Sequence, residues 1–167
     1  MATEADRVVQ ALHSGHDELA AVVSGLTDAQ LTWPSAAAEW TVAQVLSHLG
    51  SGAQITLAGL EAALAGAANP GNEANQQVWA RWNAMSPQEQ AAGFLEADTA
   101  LLARYDSLDA ATRASLLIDL GFLPAPVDLA SAARFRLNEF ALHSWDVRVA
   151  LDPAAVASAV GELARQV

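Results

Sequence analysis

The chain has 167 residues, of which 53% are hydrophobic and 16% are charged, and its formal net charge is −11. This composition indicates one packed globular domain over residues 1–167, and so acidic a chain is a poor candidate for binding nucleic acid. All 8 basic residues are arginines and cysteine is absent. Lysine Schiff-base chemistry, disulfides and thiolate metal ligands are therefore excluded.

The sequence has no sign of export or of membrane insertion. It contains no apolar stretch of about 18 residues, and its N-terminus lacks the cationic start and apolar segment of a secretion signal. We therefore expect a cytoplasmic protein. Its Ala-rich, Lys-free composition is typical of a GC-rich bacterial genome.

Helix signals follow one another along the first half of the chain. Apolar residues at helical spacing predict a first helix over about residues 3–26, and Thr27-Asp28-Ala29-Gln30 has the capping-box pattern in the turn that follows. A second capping box, Thr41-Val42-Ala43-Gln44, opens a helix that reaches about residue 68. The breaker sequence Asn69-Pro70-Gly71-Asn72 ends it.

The second half has the same character. Residues 73–85 are expected to form a shorter helix, and Ser86-Pro87-Gln88-Glu89 starts a third long helix that reaches about residue 108. A fourth long helix runs from after residue 126 to about residue 151, and Asp152-Pro153 begins a short final helix. We interpret residues 116–123 as a loop or helix end. The sequence thus predicts an all-α four-helix bundle with additional short helices, and with a crossover where the connections are longest.

Four polar residues share one face of the predicted fourth helix: Arg136, Glu139, His143 and Asp146. Apolar residues flank this face on both sides, so we expect it to point inward or into a cleft. A buried carboxylate and imidazole are costly unless they are paired or bind a metal. About one carboxylate–His pair at this spacing is expected by chance, and a satisfied Glu–His hydrogen bond is the alternative interpretation.

Two other histidines are further candidates for a functional site. His13 and Asp17 form a second pair at helical spacing, with nothing else to support a site. His16 lies on the apolar face of the first helix and is another candidate for an inward-facing group.

His48 supplies a third candidate metal ligand from the second helix. Small residues follow it in Gly50-Ser51-Gly52-Ala53, which leaves room for a ligand or for a close helix crossing. Taken alone, His48 is more commonly a satisfied core histidine. Two His and one carboxylate leave a fourth position open, which is the pattern of catalytic zinc, although iron and nickel accept the same ligands. Asp146 is expected to accept the other imidazole N–H of a metal-binding histidine.

Three residues of the shorter helix are candidates for lining the cleft: Trp79, Arg81 and Trp82. Packing is the commoner function of such large side chains on a short helix.

Two segments carry a specific resemblance. Residues 40–49 (WTVAQVLSHL) and 138–146 (NEFALHSWD) resemble the signature stretches of the metal-binding N-terminal domain of mycothiol-dependent maleylpyruvate isomerases, in the DinB-like superfamily of four-helix bundles. The resemblance implies that His48, Glu139 and His143 bind a divalent metal, usually taken as zinc. It also implies mycothiol as a thiol cofactor, an actinobacterial source and an electrophilic small-molecule substrate. In the isomerase, thiolate would add to the cis double bond of maleylpyruvate, allow rotation, and leave.

The resemblance transfers the metal site more firmly than the reaction. Isomerases of this family carry a further C-terminal domain that helps to form the active site, and this sequence ends at Val167. Three functions remain open at this point: a metal- and mycothiol-dependent isomerase or S-transferase, a metal or small-ligand binding module without turnover, and a structural bundle, alone or as a homodimer. No catalytic or cofactor-binding residue is assigned.

Overall fold

The computed structural model describes residues 2–152. Within them lie seven helices and one short two-stranded ladder: α1 Glu4–Ser24, α2 Asp28–Leu31, α3 Val42–Leu64, α4 Gly71–Asn83, α5 Pro87–Asp106, α6 Ala110–Ser115, β1 Leu117–Ile118, β2 Val127–Asp128 and α7 Leu129–Leu151. The predicted all-α bundle is confirmed. The expected helix after residue 152 lies outside the described residues.

The helix starts follow the local capping chemistry of the sequence. The side chains of Thr27, Thr41 and Ser86 each accept a hydrogen bond from the backbone N–H three residues later, and each pair is a reciprocal capping box. Such a cap satisfies two backbone donors that the first helical turn leaves free. The predicted starts of α3 and α5 are therefore confirmed, and the first of these boxes opens α2, a single helical turn.

The connection between α5 and α7 differs from the prediction. Residues 110–115 form α6, and Leu117–Ile118 pair antiparallel with Val127–Asp128. The interpretation of residues 116–123 as loop or helix end was thus wrong for these two residues. A ladder of two residues leaves no periodic pattern in a sequence, since alternation needs about four residues to be recognised.

The four long helices pack in the cyclic order α1, α7, α3, α5. Contacts between side chains fix their directions: α1 runs parallel to α7, α3 runs parallel to α5, and the two pairs are antiparallel to each other. The parallel step from α3 to α5 requires a crossover connection, which contains α4. The defining contacts are Glu4–Arg134 and Glu18–Arg148 for α1 with α7, Glu61–Arg104 for α3 with α5, His13–Asp106 and His16–Asp98 for α1 with α5, and His48–Glu139 for α3 with α7.

One contiguous apolar core lies between these helices. Its largest fully buried side chains include Phe94, Tyr105 and Phe140, surrounded by leucines from every long helix. None of the helices in residues 2–152 combines the length and apolarity that a membrane span needs.

Candidate metal centre

Three side chains from α3 and α7 converge at one edge of the bundle. The Nε2 atom of His48 lies 3.1 Å from Oε2 of Glu139, and Nε2 of His143 lies 3.7 Å from the same oxygen. One ligand atom from each residue lies within 4.8 Å of the others, and the two imidazole centroids are 4.6 Å apart. We call these residues the triad. The structure thus brings together the three residues that the sequence predicts as metal ligands.

Asp146 fixes the orientation of one histidine of the triad. Its carboxylate Oδ2 lies 2.9 Å from Nδ1 of His143, one helical turn away on α7, and its side chain is buried. An Nδ1–H donated to this carboxylate leaves the Nε2 lone pair of His143 directed at the triad. The predicted contact between Asp146 and His143 is therefore present.

The three side chains of the triad differ in their exposure to solvent. The His143 side chain is 14% exposed, that of His48 is 35% exposed and that of Glu139 is 55% exposed. Burial lowers the pKa of His48 and outweighs the hydrogen bond to Glu139, which raises it; the neighbouring His143 lowers this pKa further. A neutral imidazole is the form that binds a metal.

The polar face of α7 is buried only in part: Arg136 and Asp146 are buried, whereas the Glu139 side chain is 55% exposed. Phe135 and Leu142, two of the apolar residues that flank this face, are exposed. Apolar residues on both sides therefore do not bury the whole polar face, and on this flank the Phe122 ring covers the Phe135 ring only in part, at a centroid distance of 5.5 Å. A ligand could therefore approach Glu139 from solvent.

Trp40 covers the two histidines. Its ring centroid lies 5.2 Å from that of His48 and 5.9 Å from that of His143. The preceding loop is held by a hydrogen bond from Ser35 N to Trp40 O and by one from Ala36 N to Asp146 O, at 2.9 and 3.3 Å. The sequence placed Trp40 in a signature stretch but gave it no function, because a contact between a loop residue and α7 has no local signal.

A cavity of about 360 Å³ opens beside the triad, between α3 and α4. It is lined by Trp40, Gln44, Ser47, His48, Ser51, Trp79 and Asn83. Trp79 therefore lines the cleft as the sequence suggested, whereas Arg81 does not. Trp82 is a packing residue: it is buried, and its indole N–H donates to Gln54 Oε1 at 2.9 Å.

The small residues after His48 serve mainly a close helix crossing. A Cβ atom at Gly50 would overlap the indole ring of Trp82 and would lie 3.0 Å from Cα of Phe94. Of the two uses that the sequence left open for this segment, Gly50 serves the crossing, while Ser51 faces the cavity.

The remaining histidines pair with acids of α5. His13 contacts Asp106 at 3.0 Å, rather than Asp17 one turn away, and His16 contacts Asp98 at 2.8 Å. Neither joins a third metal-ligating side chain, and the triad is the one such cluster in residues 2–152.

Comparison with known proteins identifies the family. Residues 12–148 match the family model of the mycothiol maleylpyruvate isomerase N-terminal domain. The chain belongs to this family. The resemblance carried by the two signature segments is thus confirmed.

Solved structures agree with this assignment. A crystal structure of the mycothiol-dependent maleylpyruvate isomerase and one of its histidine-to-alanine mutants match with TM-scores of 0.75 and 0.76. Each match is 16% identical and covers 99% of this chain and 70% of the other. At this identity the likeness shows a shared fold. No curated protein matches the chain.

Proposed function

We propose that this domain binds a divalent metal ion, zinc above all, through His48, Glu139 and His143, and uses it to activate a small-molecule thiol. The observation that carries the proposal is the convergence of two imidazole nitrogens and a carboxylate oxygen within 4.8 Å. Two ligand atoms at about 2.0–2.1 Å from a tetrahedral zinc ion lie roughly 3.4 Å apart. The two His–Glu separations, 3.1 and 3.7 Å, bracket that value, and all three ligand atoms lie within 4.8 Å of one another.

The chemistry of the donor set supports a reactive site. Two nitrogens and one oxygen leave a fourth tetrahedral position, which in catalytic zinc sites is taken by water or substrate. A bound cation stabilises a thiolate over its thiol and so supplies a nucleophile near neutral pH. The chain itself has no cysteine, so the thiol must come from a cofactor, and the family makes mycothiol the first candidate.

The side chains around the triad have separate tasks in this proposal. Asp146 holds His143 in one tautomer, and Trp40 shields both imidazoles from water on one side. The cavity between α3 and α4 is large enough for part of a cofactor or electrophilic substrate, and it opens directly onto His48. Isomerase or S-transferase chemistry would then take place where that cavity meets His48.

Elemental analysis of protein purified without added metal tests the binding step. We expect about one metal ion per chain, and its loss in His48→Ala and His143→Ala. His13→Ala is the matched control, because His13 pairs with an acid outside the triad. Full metal occupancy in either triad variant would show that the metal binds elsewhere.

The thiol step needs a separate measurement. Mycothiol at about 100 times its dissociation constant adds roughly 2.7 kcal/mol of stability, which a thermal-shift assay of the metal-loaded protein would detect. Turnover with several electrophiles then separates an enzyme from a binding module. A shift without thiol-dependent turnover would indicate the module.

A further inference from the structure

A buried polar network crosses the core directly beside the triad. Asp98 of α5 is 2% exposed and Arg136 of α7 is 5% exposed, and their charged groups are 2.8 Å apart. The other Asp98 oxygen lies 2.8 Å from Nδ1 of His16 on α1. Arg136 Nη2 also donates to the backbone carbonyl of Leu49 on α3, at 3.0 Å. One network therefore links all four long helices.

Stability alone does not account for an ion pair at this depth. Taking both charges out of water is expensive, and replacing a buried pair by apolar residues of similar volume is often neutral or stabilising. Buried ionic groups are best understood where they fix one geometry among several that an apolar core would allow.

Arg136 connects the two helices that carry the triad. Leu49 directly follows His48 on α3, and Arg136 lies three residues before Glu139 on α7, which is nearly one helical turn. One guanidinium group thus joins the backbone beside one ligand to the helix that carries the other two. Because the triad draws on α3 and α7 alone, the placement of these helices relative to each other sets its ligand separations.

The surroundings hold the guanidinium in place. Asp98 anchors it from a third helix, and its face packs against the Phe140 ring, 5.6 Å from the centroid. Gly52 provides space on α3, since a Cβ atom there would lie 3.1 Å from Nη1 of Arg136. The guanidinium is therefore fixed by contacts from α3, α5 and α7.

We propose that Arg136, anchored by Asp98, is a positioning residue that holds α3 against α7 so that His48 meets Glu139 and His143 in metal-binding geometry. This inference rests on the proposed metal site and adds a determinant of its affinity and shape. Arg136 itself does not contact the metal or the substrate.

Cobalt(II) is a suitable probe, because its visible d–d absorption reports coordination geometry, and zinc affinity can be measured by competition. We compare wild type, Arg136→Met, and the double variant Asp98→Leu/Arg136→Met, with Arg134→Met as the control. Arg134 lies on the same helix and pairs with Glu4 of α1, away from α3. Unfolding curves define a temperature at which every variant is folded, and affinities are measured there.

We expect the double variant to regain part of the stability that Arg136→Met loses, because it leaves no buried unpaired charge, although the His16 imidazole loses its Asp98 partner. Its metal affinity should nevertheless remain about 10–100-fold below wild type, the usual effect of losing an outer contact, with a changed d–d spectrum. Arg134→Met should keep the wild-type spectrum and affinity.

Two other outcomes would refute the positioning function, and a third would refute the proposed function. Wild-type affinity and spectrum in the double variant would make the network a packing feature and refute the positioning function. An equal loss in Arg134→Met would point to general loosening of α7 and refute it as well. Absence of metal binding by wild-type protein would instead overturn the proposed function, on which this inference depends.

Discussion

The bundle contains two histidine–carboxylate clusters of similar chemistry in contrasting environments. In the triad, Glu139 is more than half exposed and contacts two histidines across α3 and α7. In the core network, Asp98 is almost fully buried and contacts one histidine and one arginine.

The difference lies in how the negative charge is compensated. Asp98 has a permanent cation, Arg136, at hydrogen-bonding distance, so its cluster is complete without any ligand. Glu139 has only two imidazoles, one with a pKa lowered chiefly by burial, so a cation from solution can complete the group. The same residue types therefore form a charge-balanced pair in the core and, at the edge, the cluster that we propose binds a metal.

The largest effect is expected from Asp98→Leu. This change leaves the Arg136 guanidinium buried without its counter-charge, and breaking a buried pair in this way costs about 3–5 kcal/mol. Urea unfolding of the metal-free protein measures the loss. A loss of unfolding free energy below about 1 kcal/mol, the range typical of surface ion pairs, would mean that the buried pair is no stronger than an exposed one.

Asp146→Asn should act on the metal rather than on the fold. The amide oxygen can still accept from Nδ1 of His143, but the negative charge is lost, and such outer partners typically change metal affinity by about 10–100-fold. Zinc competition measures this change. Asp106→Asn, which alters the equivalent partner of His13, is the control and should leave metal affinity unchanged.

The core network should also lose stability in acid. Burial raises the pKa of Asp98, but the hydrogen bond with His16 and the charge and hydrogen bond of Arg136 outweigh it, so this pKa lies below its usual value. A depressed carboxylate pKa contributes stability that is fully present above the unfolded value of about 3.9 and is lost as the pH falls through the folded pKa.

The stability difference between wild type and Asp98→Asn should therefore shrink as the pH falls below about 4. Urea unfolding of both proteins between pH 3 and pH 7 measures it. A difference that stays constant over this range would mean that the folded and unfolded pKa values of Asp98 are equal.

The smallest effect is expected from Glu139→Gln in the metal-free protein. An exposed ion pair contributes about 0–1 kcal/mol, so the unfolding free energy should hardly change, although metal affinity should fall. Glu61→Gln, at an exposed pair with Arg104, should show the same small change without any effect on metal. Marked destabilisation by Glu139→Gln would mean that the triad also holds α3 and α7 together.

The sequence predicted interactions whose partners lie close together along the chain. Thr41 and Ser86 cap their helices through residues three positions away, so a short window of sequence contains the whole signal. The spacing of Glu139 and His143, which puts them on one face of a helix, can likewise be recognised in a short window. The assignment of His48 to the same site came from the position of its helix and from the family resemblance.

The missing parts involve partners distant in sequence. Arg136 was placed on the polar face of α7, but its partner Asp98 lies 38 residues away on another helix and carries no local mark. The exposure of Phe135 and Leu142 was missed because helical periodicity shows which residues share a face. It does not show whether another element covers that face.

The antiparallel contact between α3 and α7 has a consequence for folding. His48 and Glu139 are separated by 91 residues, so the ligand set exists only after a long loop has closed. Closure of such a loop is opposed by chain entropy. A metal ion that needs ligands from both α3 and α7 would bind the native chain but not folding intermediates in which these helices are still apart. It would therefore slow global unfolding while leaving the first steps of refolding unchanged.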